Sequence, residues 1–239
     1  MKKSFAKKLF GSMMMLYVLA ASGLCLTSCE QEESKDLGDA PLFQRYMLAV
    51  GNNGETIAYA AFSRERNDFL KPVKMTGDQK ISVNGKGMNY NRLDNYHSVA
   101  YLYSLKLDNN ANEAEFEFVR FKDNTIKNKL VKDNSLSLAL PEDLKTIEAG
   151  KVVNWKGAAK ADEETMEFIL EKTDKRHFAQ YFGEVTEDGK GFVFQNLPAK
   201  GKYKLIIRRY KSAPTTQNDR TADGEMTLCY FDIRSIEIK

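Results

Sequence analysis

VAYLYSLKL, residues 99 to 107, places Val99, Tyr101, Tyr103, Leu105 and Leu107 at alternate positions. Successive side chains of a β-strand point to opposite faces, so this stretch reads as a strand with its apolar residues gathered on one face. The polar run Asp108 to Asn112 closes it. Downstream, Phe116 and Phe118 alternate with Glu115 and Glu117, Lys122-Asp123-Asn124 turns the chain, and Leu136, Leu138 and Leu140 form a last strand before Pro141. Upstream, Tyr46, Leu48 and Val50 alternate ahead of Asn52-Asn53-Gly54, whose residue types suit a hairpin. The return strand runs from Thr56 to Ser63, followed by Pro72 to Met75 and by Ile81 to Val83 before Asn84-Gly85. About seven short strands in about 100 residues is the count expected of a β-sandwich.

Glu142 to Lys151 is polar, holds a turn glycine and separates two strand-rich halves. A domain boundary is expected there, giving sandwich domains over 42–141 and 148–239. In the second half Val152 to Trp155 is followed by Met166, Phe168 and Leu170 at alternate positions. Phe178 to Val185 and Gly191 to Gln195 flank the hairpin turn Glu187-Asp188-Gly189-Lys190. Tyr203, Leu205 and Ile207 precede a polar loop expected from Lys211 to Gly224, and Met226 to Ile238 closes the chain. No segment carries convincing helical periodicity, so the fold class is all-β.

The first ten residues hold four lysines, Lys2, Lys3, Lys7 and Lys8, and no acid. Met13 to Leu26 is apolar; as a helix it rises about 21 Å, too short for a bilayer core of about 30 Å. Residues 1–28 therefore read as a cleavable export signal. It ends Leu26-Thr27-Ser28-Cys29, which resembles the lipobox of bacterial lipoproteins. The resemblance implies diacylglycerol on Cys29, cleavage before it, and further acylation, with palmitate-like chains, of the new amino group. Cys25 is a poor rival, because Leu24 stands where a small residue is wanted. More than one acyl chain holds a protein stably on a membrane.

Residues 29–41 then read as a flexible tether whose acidic run, Glu30 to Asp36 with Glu30, Glu32, Glu33 and Asp36, lacks the apolar content that folding needs. An acidic cluster directly after the lipidated cysteine resembles the surface-export signals of Bacteroidota-type lipoproteins, which implies the outer membrane and the cell surface. The strings VNWKGAAKADEETMEFIL (153–170) and EDGKGFVFQNLPAKGKYKLIIRRY (187–210) resemble the immunoglobulin-like, transthyretin-like modules of such proteins. AYAAFSRER (58–66) and MTGDQKISVNG (75–85) carry the likeness more loosely into the first half. The resemblance speaks to architecture and leaves the ligand open.

Charge and chemistry narrow the functions. Of 36 basic residues four leave with the signal, so 32 face 33 acids and the remaining chain carries about one net negative charge. The precursor's basic balance belongs to the signal, which removes the case for a nucleic-acid partner. Cys25 leaves, Cys29 takes lipid, and Cys229 remains alone, so no intramolecular disulfide is expected. His97 and His177 lack a second ligand at metal spacing, and no nucleophile-elbow, zincin or phosphate-loop motif occurs. Asp108-Asn109-Asn110 and Asn218-Asp219 offer oxygen ligands, but ordinary turn chemistry explains them equally well. The expectation is a non-enzymatic interaction or structural lipoprotein without metal or cofactor. The alternative is a glycan-binding accessory lipoprotein, in which Tyr90 and Tyr96 of the Gly85 to Tyr96 loop contact the sugar.

Overall fold

A computed structural model describes residues 32–65, 72–90, 103–122, 124–172 and 180–239. In chain order the strands among these are β1 (Glu32–Glu33), β2 (Phe43–Gly51), β3 (Thr56–Ser63), β4 (Val73–Lys74), β5 (Lys80–Val83), β6 (Lys86–Gly87) and β7 (Asn89–Tyr90). There follow β8 (Tyr103–Leu107), β9 (Glu113–Phe121), β10 (Asn124–Val131), β11 (Leu138–Ala139), β12 (Val153–Asn154) and β13 (Lys156–Gly157). The last are β14 (Glu164–Lys172), β15 (Gln180–Phe182), β16 (Glu184–Val185), β17 (Gly191–Val193), β18 (Gly201–Pro214) and β19 (Gly224–Ile238). Among the described residues helix is confined to short 3-10 turns, and the fold is all-β, as the alternation predicts.

An eight-stranded sheet in the order β15-β14-β18-β19-β2-β3-β8-β7 forms one layer. A four-stranded sheet, β10-β9-β5-β6, and a three-stranded one, β12-β17-β16, supply the facing layers. The first interface stacks Tyr46 on Phe116, with ring centroids 4.7 Å apart, and Phe62 on Phe118 at 4.6 Å. In the second, Phe168 lies on Phe192 at 4.6 Å and beside Trp155 at 5.9 Å. Tyr46, Phe62, Phe116, Phe118, Phe168 and Phe192 are buried aromatics delivered by strands, and Trp155 is buried between β12 and β13. Burying one such side chain contributes about 1.5–3 kcal/mol, before the entropy of ordering it.

The fold-deciding stretch behaves as its pattern requires where it is described. Tyr103 and Leu107 of β8 are buried and Leu105 packs against the same core; Val99 and Tyr101 lie outside the described residues. The Thr56–Ser63 strand matches the expected return strand, and it follows a turn in which Gly54 takes φ 85°. At the β5–β6 turn both Asn84 (φ 49°) and Gly85 (φ 73°) sit in the left-handed region, the conformation that an Asn-Gly hairpin supplies. One loop is shorter than expected. β18 continues through Lys211 to Pro214, pairing with Leu228 to Glu225, so only 215–223 remain as loop. Polar side chains on a strand that extends beyond its apolar positions gave no sign of that pairing.

The large sheet draws on both halves of the chain. β19 lies parallel to β2 in continuous register from Gly224 opposite Gln44 to Phe231 opposite Gly51. The segment expected as a boundary runs beside β19: Thr146 bridges to Glu237, whose N–H donates to the Lys145 carbonyl at 2.9 Å. Buried residues from β2, β3, β9, β14, β17, β18 and β19 belong to one continuous core. On the other face of the large sheet, Met47, Ala49, Tyr59, Ala61, Cys229 and Phe231 form a second, smaller buried cluster.

Candidate functional site

The residues that join the fold to its expected anchor are densely bonded to the rest of the described chain. β1 runs parallel to β4, with Glu32 opposite Val73 and Glu33 opposite Lys74. A 3-10 turn, Ser34–Leu37, follows directly. Ser34 is fully buried. Its hydroxyl accepts from the Thr76 N–H at 2.9 Å and donates to the Thr76 carbonyl at 3.5 Å, while the Lys35 N–H donates to the Thr76 hydroxyl at 3.3 Å. Gln79 donates through its amide to the Ser34 carbonyl at 3.4 Å. Glu32 meets Arg64 at 3.5 Å, and Lys35 lies 2.9 Å from Glu33, whose carboxyl it holds below the ordinary value through a hydrogen bond and charge.

The next stretch is held by two arginines. Arg120 and Asp219 are wholly buried and approach to 3.3 Å. The Arg120 guanidinium donates to Gln79 at 2.6 Å and to the Gly38 and Ala40 carbonyls at 3.1 and 2.6 Å. Burial lowers its pKa and Asp219 opposes that effect; an arginine starts so high that it remains a cation. Asp219 also accepts from the Leu42 N–H at 2.8 Å, and Leu42 is itself in the core. Arg220 donates to the Asp39 carbonyl at 2.6 Å and lies over the Phe121 ring at 5.3 Å, with Arg120 over the same ring at 4.9 Å. Backbone and side chains thus tie the chain down repeatedly between Glu32 and Leu42.

This corrects the expectation of a flexible tether across 29–41. From Glu32 onward the acidic segment is part of the fold. Composition missed it because a two-residue parallel pairing and a buried hydroxyl need no apolar side chain. Leu26, Thr27, Ser28, Cys29 and Glu30 lie outside the described residues. Glu32 and Glu33 sit in β1 and Asp36 is exposed in the turn that follows. Ser34, Thr76, Gln79 and Asp219 had no legible signal, but Arg120 did. It falls at the same alternate positions as Ala114, Phe116 and Phe118, and a charge at a core-facing position needs a buried partner. Arg209 follows the same rule in β18, where it pairs with buried Glu164 at 2.6 Å and donates to the Ala158 and Ala159 carbonyls.

The other sequence candidates separate. Tyr90 packs edge-on against Tyr103, with centroids 5.8 Å apart, and Lys74 lies over its ring at 5.0 Å. Tyr103 accepts from the Met75 N–H at 2.6 Å, and burial pushes its phenol up to about 12. Tyr96, His97 and His177 lie outside the described residues. Asp219 is engaged by Arg120 and Leu42, so turn chemistry alone does not account for it. Among the described residues no group of three or more His, Cys, Asp and Glu side chains is arranged to hold a metal ion. A hollow of about 330 Å³ is lined by Asn84, Gly85, Glu113, Glu115 and Glu117. Its glutamates are ion-paired across the sheet with Lys127 and Lys129. No protein-family model matches the chain, and no curated protein matches it.

Proposed function

We propose that the chain is a lipid-anchored envelope lipoprotein of the outer membrane, exposed at the cell surface, with a non-enzymatic interaction or structural role. The observation that carries this reading is the clamping of residues 32 to 42. A polar chain start is ordinarily poorly held, whereas here Glu32 to Lys35, Gly38, Asp39, Ala40 and Leu42 are each bonded to the β-sandwich. Such an attachment transmits to the core any force on Cys29. The non-enzymatic part rests on the absence of catalytic motifs in the sequence. The glycan-capture alternative draws on Tyr90 and Tyr96, and the Tyr90 ring is already engaged by Tyr103 and Lys74.

The test is acylation. Wild-type protein should incorporate labelled palmitate, gain the mass of its acyl chains on a peptide beginning at Cys29, and float with membranes. Cys29→Ser should lose all three properties. Flotation without acyl mass would defeat the anchor assignment.

A further inference from the structure

We propose that one end of the sandwich, marked by the Gly77-Asp78 turn, faces the lipid surface, and that the Asn52–Gly54 hairpin points away from it. This deepens the reading above and rests on Cys29 as the acylated residue. Three peptide units separate Cys29 from Glu32, a reach of at most about 11 Å. Glu32 is fixed beside Val73, next to the Ser63–Pro72 bridge and within contact of Arg64. That is the end of the large sheet where β2 begins and β3 finishes, since Phe43 pairs with Ser63. Thr76, which grips Ser34, leads straight into the exposed Gly77-Asp78 turn. The far end is set by the same strands: from Ser63 back to Thr56 is about 23 Å of extended chain, with the Asn52–Gly54 turn beyond it.

The partner is the lipid surface, and the short leash selects the face presented to it. Exposed charges near the leash are mixed, with Lys35, Lys122 and Arg220 against Asp36, Asp39 and Asp78. Proximity should therefore not depend on anionic headgroups or on salt, which screens exposed charges beyond about 10 Å at 0.1 M.

The experiment uses full-length acylated protein in phosphatidylcholine vesicles carrying a headgroup quencher. Cys229 is fully buried, so a thiol introduced as Asp78→Cys or Asn53→Cys takes a fluorophore selectively. With strands placing the two sites more than about 20 Å apart, the label at 78 should be quenched at least about twofold more than the label at 53, at low and high salt alike. A second variant, Glu32→Pro with Glu33→Pro and Ser34→Ala, frees the chain as far as Gly38 and lengthens the leash to about 30 Å. It should still float while the difference between the two labels collapses. Equal or reversed quenching in protein that floats overturns the orientation and leaves the anchor intact. Persistence of the difference in the unlatched variant overturns the role given to the latch. Protein that carries no acyl mass and does not float overturns the anchor reading and the orientation with it.

Discussion

Removing the Asp219 carboxylate breaks a wholly buried ion pair that also holds the start of β2. Asp219→Ala leaves the Arg120 guanidinium, fully shielded from water, with neutral carbonyl and amide acceptors alone, and leaves the Leu42 N–H without its acceptor. Breaking a buried ion pair from one side costs about 3–5 kcal/mol, because the surviving charge keeps its desolvation penalty. Total stabilities are about 5–15 kcal/mol, so the variant should stand close to unfolding. At about 2–4 °C per kcal/mol for a chain of this size, the midpoint should fall by about 6–20 °C. Differential scanning fluorimetry reads the midpoint, and hydrogen exchange should show the Leu42 amide losing protection before the rest of β2. The paired replacement Arg120→Met with Asp219→Leu should cost less than the sum of the single changes, giving a coupling energy in a double-mutant cycle. A loss below about 1 kcal/mol for Asp219→Ala, the value of a solvated surface pair, would refute the claim that this pair is desolvated and holds the N-terminal segment.

Replacing Glu30, Glu32, Glu33 and Asp36 with Ser should leave acylation and midpoint nearly unchanged, because exposed ion pairs are worth about 0–1 kcal/mol and the β1 pairing uses backbone; protease accessibility on intact cells should fall, and unchanged accessibility would reduce the acidic run to a spacer. Burial pushes the Cys229 thiol up to about 12, above its unfolded value of about 8.5. Above the lower value the unfolded state binds fewer protons than the folded one, so stability should fall with rising pH between the two, by up to about 1.4 kcal/mol per pH unit. Cys229→Ala should flatten that decline, and the native thiol should resist a thiol reagent at neutral pH until the protein is denatured; rapid labelling of folded protein would contradict its burial. Because β2 and β19 share an unbroken register, calorimetry should show one unfolding transition, and residues 42–141 and 148–239 expressed separately should each fail to unfold cooperatively. Two independent transitions would show that the halves fold alone.

Alternation carried most of the local structure. Phe116 and Phe118 in β9, Phe168 and Leu170 in β14, and Tyr203, Leu205 and Ile207 in β18 are buried as their spacing required. The Asn-Gly turn at 84–85 has the backbone that its residue types favour. These are properties of a few neighbouring residues, and a period of two reports them directly. The inward placement of Arg120 was equally legible, but its partner was not, because Asp219 sits in a polar loop whose composition suits any turn.

The sequence by itself therefore determined the all-β class, the residues facing the main core in the alternating strands, the hairpin turns and the expectation of an N-terminal lipid anchor. Only the tertiary structure decided that β19 lies parallel to β2, that the sheet passes through both halves, and that residues 32 to 42 belong to the fold. The reason is physical: strand alternation is written in adjacent side chains, whereas parallel pairing and carbonyl capture by a distant arginine depend on backbone groups that every residue carries alike.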